Sequence, residues 1–173
     1  GVDMSNTPAG TALLLPVDPD SSAALLRTRF QQLLGVADLG VLITDSAGRP
    51  WREGVTDIAI GIAGVHPLVD LRGNLDAHGR VLDATVVAIA DEIAGASELV
   101  RPKAGAVPVA IVRGVGQTSA EAAPARVLVR PPEHDLFSLG TAEALRLGAQ
   151  QAVTSRRTIR QFRGDPVPAD VLE

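Results

Sequence analysis

The sequence predicts an α+β fold, a mixed and largely antiparallel sheet with packed helices. Three observations predict it. Short apolar runs of strand length recur between turn residues. One segment repeats its leucines at helical spacing. The strands are joined sometimes by helices and sometimes by loops, so no strict βαβ repeat is indicated. The 173 residues suffice for a domain with its own core, and 46 % hydrophobic against 21 % charged is a globular balance. The apolar content is Ala, Val, Leu and Ile, with three Phe, one Trp and no Tyr, so the core is expected to consist of small and β-branched side chains.

Taken in order, residues 11–17 form an apolar run closed by Asp18-Pro19, which predicts a buried strand and turn. Asp20-Ser21-Ser22 is expected to cap a helix whose stripe is Leu25, Leu26, Phe30, Leu33 and Leu34, with Gly35 at the left-handed C-cap. Residues 36–44 predict a second strand ending at Asp45, and 46–54 a loop with two Gly, a Pro, a Trp and two Arg. Residues 55–62 alternate as a third strand, and 67–80 form a polar turn region. Residues 81–89 begin as a strand and pass into a helix over 90–100, where Asp91 and Glu92 suit the first turn. Residues 107–112 predict a further strand, at an edge or bulge because of Pro108. Residues 114–125 read as a mobile loop, 126–129 as a brief pairing segment and 141–153 as a helix. The domain boundary is placed over 131–139. Gly1-Val2-Asp3 opens without a cap, and 166–173 resemble a helix start without its helix, so the chain reads as truncated at both ends.

Composition also excludes function classes. A net charge of −4 and few aromatic platforms argue against nucleic acid. No run of about 18 apolar residues predicts a membrane span, and there is no signal-peptide pattern. The absence of cysteine removes disulfides, thiolate metal sites and thiol nucleophiles, and fits a cytoplasmic protein. His66, His78 and His134 lack zinc-like spacing, and there is no Gly-x-Ser-x-Gly elbow.

The richest segment runs from Thr44-Asp45-Ser46 through Gly48-Arg49-Pro50-Trp51-Arg52 to Thr56-Asp57. A strand that delivers a carboxylate and a hydroxyl, followed by glycines and two guanidiniums, suits a hard divalent cation beside phosphates. The same residues also suit a strand-end Asp capping a turn, with Arg49 and Arg52 on a solvated face. Asp3 with Ser5 and Asn6 is a turn signature that becomes a ligand set only if Asp45 lies near it. Arg101-Pro102-Lys103-Ala104-Gly105 offers two cations and a glycine without forming a Walker loop.

These residues resemble the F420-0:L-glutamate ligase family, in its actinobacterial two-domain form. The matching stretches are Gly1-Val2-Asp3 with Ser5-Asn6, Leu14-Leu15-Pro16 with Asp18-Pro19-Asp20, the segment from Thr44 to Asp57, 88–93, and Pro108-Val109-Ala110-Ile111-Val112-Arg113-Gly114. The stretch Asp135-Leu136-Phe137-Ser138-Leu139-Gly140 resembles the junction with a nitroreductase-like domain. The resemblance implies a ligase domain over 1–134 and, over 135–173, a linker and the start of an FMN domain. It implies divalent metal, Mg²⁺ or Mn²⁺, at Asp3, Asp45 and Ser46. It implies GTP near Asn6 and Lys103, and FMN at Arg156, Arg157 and Arg160. The reaction implied is GTP-dependent addition of L-glutamate to F420-0 through an acyl phosphate, with Asp45, Arg49 and Arg52 as candidate catalytic residues. A homodimer is implied as well. Three departures stand out: Ser46 where the family usually has Thr, Val55 in place of Gln, and the Arg101-Pro102-Lys103 form of the loop. With both ends read as cut, this stretch by itself is expected to be catalytically poor. The alternative is a degenerate nucleotide- or F420-binding domain accessory to an FMN-dependent reductase.

Overall fold

A computed structural model describes residues 2–3, 5–119, 121, 123–135, 139–157 and 164, with the backbone alone considered for 2–3. Two compact units divide the chain, Gly1–Pro131 and Pro132–Glu173.

In the first unit, Asp18 begins the helix α1 (Pro19–Leu34). Its carboxylate accepts from the Ser21 hydroxyl at 2.6 Å and the Ser21 backbone N–H at 2.9 Å, and Pro19 supplies the fixed φ of a first helical residue. These bonds, the hydroxyl first, hold the Asp18 carboxyl below its ordinary value. The cap is therefore in place at neutral pH and is lost only as pH falls through that lowered value. The expected capping group, Asp20, instead lies in the first turn, because the helix starts at Pro19, two residues earlier than a cap at Asp20 would set it. Gly35 ends α1 in the left-handed conformation, with φ 64.

The strands pair as three separate two-stranded antiparallel ribbons: β1 (Val2–Asp3) with β2 (Leu13–Leu14), β3 (Val41–Arg49) with β4 (Arg52–Ala63), and β5 (Val69–Asp70) with β6 (Val86–Val87). The fold is α+β, as expected, with its antiparallel strands in ribbons and not in one continuous sheet among the described residues. β3 does not stop at Asp45. It continues to Arg49 and returns through Pro50 and Trp51, so the predicted loop is mostly hairpin; Trp51 takes the left-handed turn position with φ 59. The pairing steps from Ile43–Gly61 to Thr44–Ala59, which leaves Ile60 as a bulge on β4.

That bulge governs the outer edge of β4. Asp57 donates its N–H to Glu98 Oε2 at 3.1 Å, Ala59 to Asp91 Oδ1 at 2.9 Å, and Ile62 to Asp20 Oδ1 at 2.8 Å. The donors change from odd to even numbers across Ile60, as one inserted residue requires. Asp91 and Glu98 lie on the helix α2 (Ile89–Glu98), and Asp91 and Glu92 occupy its first turn as expected. The helices therefore supply the acceptors that a third strand would have supplied.

Small residues make this approach possible. Ala23 on α1 and Ala90 and Ala94 on α2 are fully buried, and Ala59, Ile62, Val65, Ala90 and Ala125 form the core with Leu42, Ile93 and Leu128 against it. Gly61 is obligatory for another reason: a Cβ there would lie 2.6 Å from the Pro19 carbonyl carbon.

Two expected strands are absent. Residues 107–112 are irregular; Pro108 lacks a donor, and no described strand pairs with the segment. Residues 126–129 lie in and just after a 3₁₀ turn, Ala125–Leu128, whose first N–H donates to Asp20 Oδ1 at 3.0 Å and so fixes the segment beneath α1. The loop from 114 is anchored by an antiparallel bridge between Val65 and Thr118. The second unit holds the helix α3 (Thr141–Thr154), one residue longer than expected, with every residue exposed within the unit.

Asp20 thus ties together α1, β4 and the Ala125 turn. Asp20→Ala strands two backbone donors and is expected to lower the unfolding free energy by about 2–4 kcal/mol. Urea denaturation would measure this, and an unchanged midpoint would refute the staple.

Candidate functional site

The site lies where β3 and β4 pass the end of α2. Strand alternation places Thr44 and Ser46 on one face of β3, opposite Ala59 and Asp57. Asp57 is the one charged side chain in the buried class among the described residues, 7 % exposed. Its Oδ2 accepts from the Thr44 hydroxyl at 2.9 Å and from Arg101 Nη2 at 2.7 Å, and its Oδ1 accepts from the Ser46 hydroxyl at 3.1 Å. Arg101 Nη2 also donates to Ser97 Oγ at 2.9 Å and Thr44 Oγ1 at 3.3 Å.

The guanidinium is held by that one nitrogen. Its Nε–H is buried without a partner, a loss of about 1–3 kcal/mol. The ion pair has side-chain exposures of 16 % for Arg101 and 9 % for Asp57, so water screens it weakly. The contrast is Arg72–Asp70, an exposed pair in which Arg72 pulls the Asp70 carboxyl down to about 2.

Beside this network is a cavity of about 580 Å³, lined by Asn6, Asp45, Ser46, Asp57, Arg101 and Lys103 among others. Asp45 Oδ1 accepts from the Ser46 N–H at 2.8 Å. Across the cavity, Asn6 stands in a left-handed turn, φ 52, and its Nδ2 donates to the Lys103 carbonyl at 2.7 Å over 97 positions of sequence. The Lys103 loop is short and stiff: Gly105 N–H returns to the Pro102 carbonyl at 2.7 Å.

Of the residues singled out in the sequence, the structure brings Asn6, Asp45, Ser46 and Lys103 together. Arg49 and Arg52 are exposed at the hairpin tip, where Arg49 Nη2 donates to the Glu53 carbonyl at 3.0 Å, and neither lines this cavity. The reason is the longer β3: four residues at about 3.3 Å each carry Arg49 roughly 13 Å along the strand from Asp45. Asp3 lies in β1 by its backbone, and its side chain is outside the described residues. Arg156 and Arg157 follow α3 in the second unit and are exposed within it; Arg160 lies outside the described residues.

Sequence reasoning reaches Asp57 only as the end of the segment from Thr44 and Arg101 only as a cation of the 101–105 loop, without pairing them, and it misses Glu98. The available signal for Asp57 was an acidic residue inside an otherwise apolar alternating strand, a placement that demands a partner.

For a divalent cation, Asp45 and Ser46 offer oxygen donors of the right kind, and a hydroxyl that donates a hydrogen bond to Asp57 keeps its lone pairs available. They fit as part of a donor set. Among the described residues no group of three or more His, Cys, Asp or Glu is placed to hold a metal ion.

Residues 1–114 match the family model for F420-0:gamma-glutamyl ligase. The chain is 47 % identical over 141 residues to the coenzyme F420:L-glutamate ligase of Methanopyrus kandleri, covering 79 % of this chain and 56 % of that protein. The proteins of the same name from Methanothermobacter thermautotrophicus and Methanocaldococcus jannaschii are 42 % identical over 140 residues and 43 % over 138; each alignment covers 79 % of this chain, and 55 % and 54 % of those proteins. The chain belongs to the F420-0:gamma-glutamyl ligase family. It spans about half the length of the curated relatives it matches.

Removing Arg101 leaves Asp57 buried and unpaired. Arg101→Ala is expected to cost about 3–5 kcal/mol in urea unfolding, whereas Arg72→Ala should leave the midpoint in place. Equal effects would show that burial does not set the strength of the pair.

Proposed function

We propose that the protein containing this chain adds L-glutamate to coenzyme F420-0, using GTP and Mg²⁺ or Mn²⁺. The observation that carries the proposal is one cavity shared by Asp45, Ser46, Asn6 and Lys103 in a chain of this family. The chemistry is activation of a carboxylate: a GTP phosphoryl group passes to the F420-0 carboxyl, forming an acyl phosphate and GDP. The glutamate amine then attacks the acyl carbon, the amide forms, and phosphate departs.

Such a reaction needs groups that hold phosphate and carboxylate oxygens in place and offset their charge. Asn6 and Lys103 are assigned to the nucleotide. A divalent cation is assigned to Asp45 and Ser46 with Asp3, where it would screen the phosphate charge. Arg49 and Arg52 are assigned to anionic groups reaching the hairpin tip.

Two finer assignments belong to the same proposal. FMN is assigned to Arg156, Arg157 and Arg160 in a nitroreductase-like domain of an actinobacterial two-domain form. A homodimer is assigned because large apolar side chains stand open in the isolated chain, Leu33 at 78 % and Ile111 at 76 % exposed.

In the complete gene product, incubation with GTP, Mn²⁺, F420-0 and L-glutamate should raise the mass of F420-0 by one glutamate residue. Asp45→Ala should lower that rate by about 100-fold or more. A folded wild-type protein that adds no glutamate would overturn the ligase proposal. The same preparation should show flavin absorbance and a dimer mass in light scattering; a colourless monomer would remove both finer assignments.

A further inference from the structure

We propose that Asp57 and Arg101 are a positioning pair, acting on the cavity through the Ser46 hydroxyl and the Lys103 loop. Two observations carry this. Asp57 Oδ1 accepts a hydrogen bond from the Ser46 hydroxyl at 3.1 Å, which fixes the direction in which that hydroxyl offers its lone pairs. Arg101, on the other oxygen, stands at the end of α2, where its own N–H donates to the Glu98 carbonyl at 3.0 Å.

From Arg101 the chain has one residue, Pro102, before Lys103. The proline fixes φ, and the Pro102–Gly105 turn closes behind it. A displacement of the Arg101 guanidinium is therefore transmitted to Lys103, and from its carbonyl to Asn6. One ion pair sets the separation between the strand that carries Asp45 and Ser46 and the loop on the far wall.

The attachment is unusual for a pair that served stability alone. A guanidinium can grip a carboxylate through two parallel N–H bonds. Here a single Nη2 is shared among Asp57, Thr44 and Ser97, and the buried Nε–H has no partner. The geometry serves three elements at once: β3 through Thr44, β4 through Asp57 and α2 through Ser97.

Both consequences rest on the cation site assigned under the proposed function; the kinetic one rests on glutamate ligation as well. The decisive variant is Arg101→Lys, which keeps every carboxylate and hydroxyl and the charge, but cannot reach three acceptors from one planar group. Asp57→Asn tests the Ser46 arm, and Thr44→Val removes the two bonds of the Thr44 hydroxyl, one to each member of the pair, without altering Ser46.

Mn²⁺ alone is titrated into the complete protein and free Mn²⁺ is followed by electron paramagnetic resonance, with circular dichroism confirming the folded fraction. Arg101→Lys and Asp57→Asn are expected to bind Mn²⁺ about 10- to 100-fold more weakly, and Thr44→Val to shift less in the same direction. Glutamate addition should then need a correspondingly higher Mn²⁺ concentration for half its maximal rate. Variants that melt earlier but keep wild-type Mn²⁺ affinity would reduce the pair to a structural one. Absence of Mn²⁺ binding by the wild type would overturn the proposal outright, as nothing would remain to be positioned. If wild type binds Mn²⁺ yet adds no glutamate, the ligase proposal fails, and the positioning pair is judged by the binding series alone.

Discussion

The structure depends on the outer edge of β4. A two-stranded ribbon leaves every second N–H of each strand without a ladder partner, and such donors must be satisfied when the edge is covered. Glu98, Asp91 and Asp20 accept from Asp57, Ala59 and Ile62 in turn. Each bond joins a helix to the strand by a charged acceptor, which is stronger than a neutral one. The helices are thus located along β4 by hydrogen bonds as well as by apolar contact, and apolar contact alone has no preferred register.

This arrangement explains the composition. An Asp side chain is short, so the helix that presents it must run close to the strand. Fully buried alanines at 23, 90 and 94 and the glycine at 61 allow that approach; larger residues there would lift the carboxylates out of reach. An aromatic-poor, alanine-rich sequence is what a carboxylate-stapled ribbon needs. The core that results is small, and no large side chain is completely buried within the described chain.

Much of this was legible in the sequence. The helical spacing of the leucines and Gly35 mark α1, the alternation over 55–62 marks β4, and the change of register after 89 marks α2, whose first turn takes Asp91 and Glu92. The segment from Thr44 to Asp57 pointed to Asp45 and Ser46, which do share a cavity with Asn6 and Lys103. What was not legible depends on distance through space. No local pattern shows that Asp20 turns away from the helix cap to bond residues 62 and 125, because the capping signal at Asp18 and the long-range staple use the same residue types. Residues 107–112 have strand propensity, but propensity describes a surface to fit, and no described strand offers one. The hairpin tip is a related case: glycine and proline mark a turn without fixing where the preceding strand ends, and because β3 runs on to Arg49, Arg49 and Arg52 stand at the tip and not on this cavity.

The site is continuous with the staple. At Asp57 the same residue that donates its N–H to Glu98 turns its carboxylate to Thr44, Ser46 and Arg101. Burying that charge demands a cation, and the nearest element able to supply one is the end of α2, whose position Asp91 and Glu98 have already set. Arg101 is therefore located twice, by the helix that carries it and by the carboxylate it neutralises. Loops placed by one anchor sample many positions; the Lys103 loop begins at a residue placed by two, and Asn6 holds it again from the other side. A cavity whose opposite walls are fixed by the same strand can keep its width constant, which is the condition for holding a reacting group in one orientation.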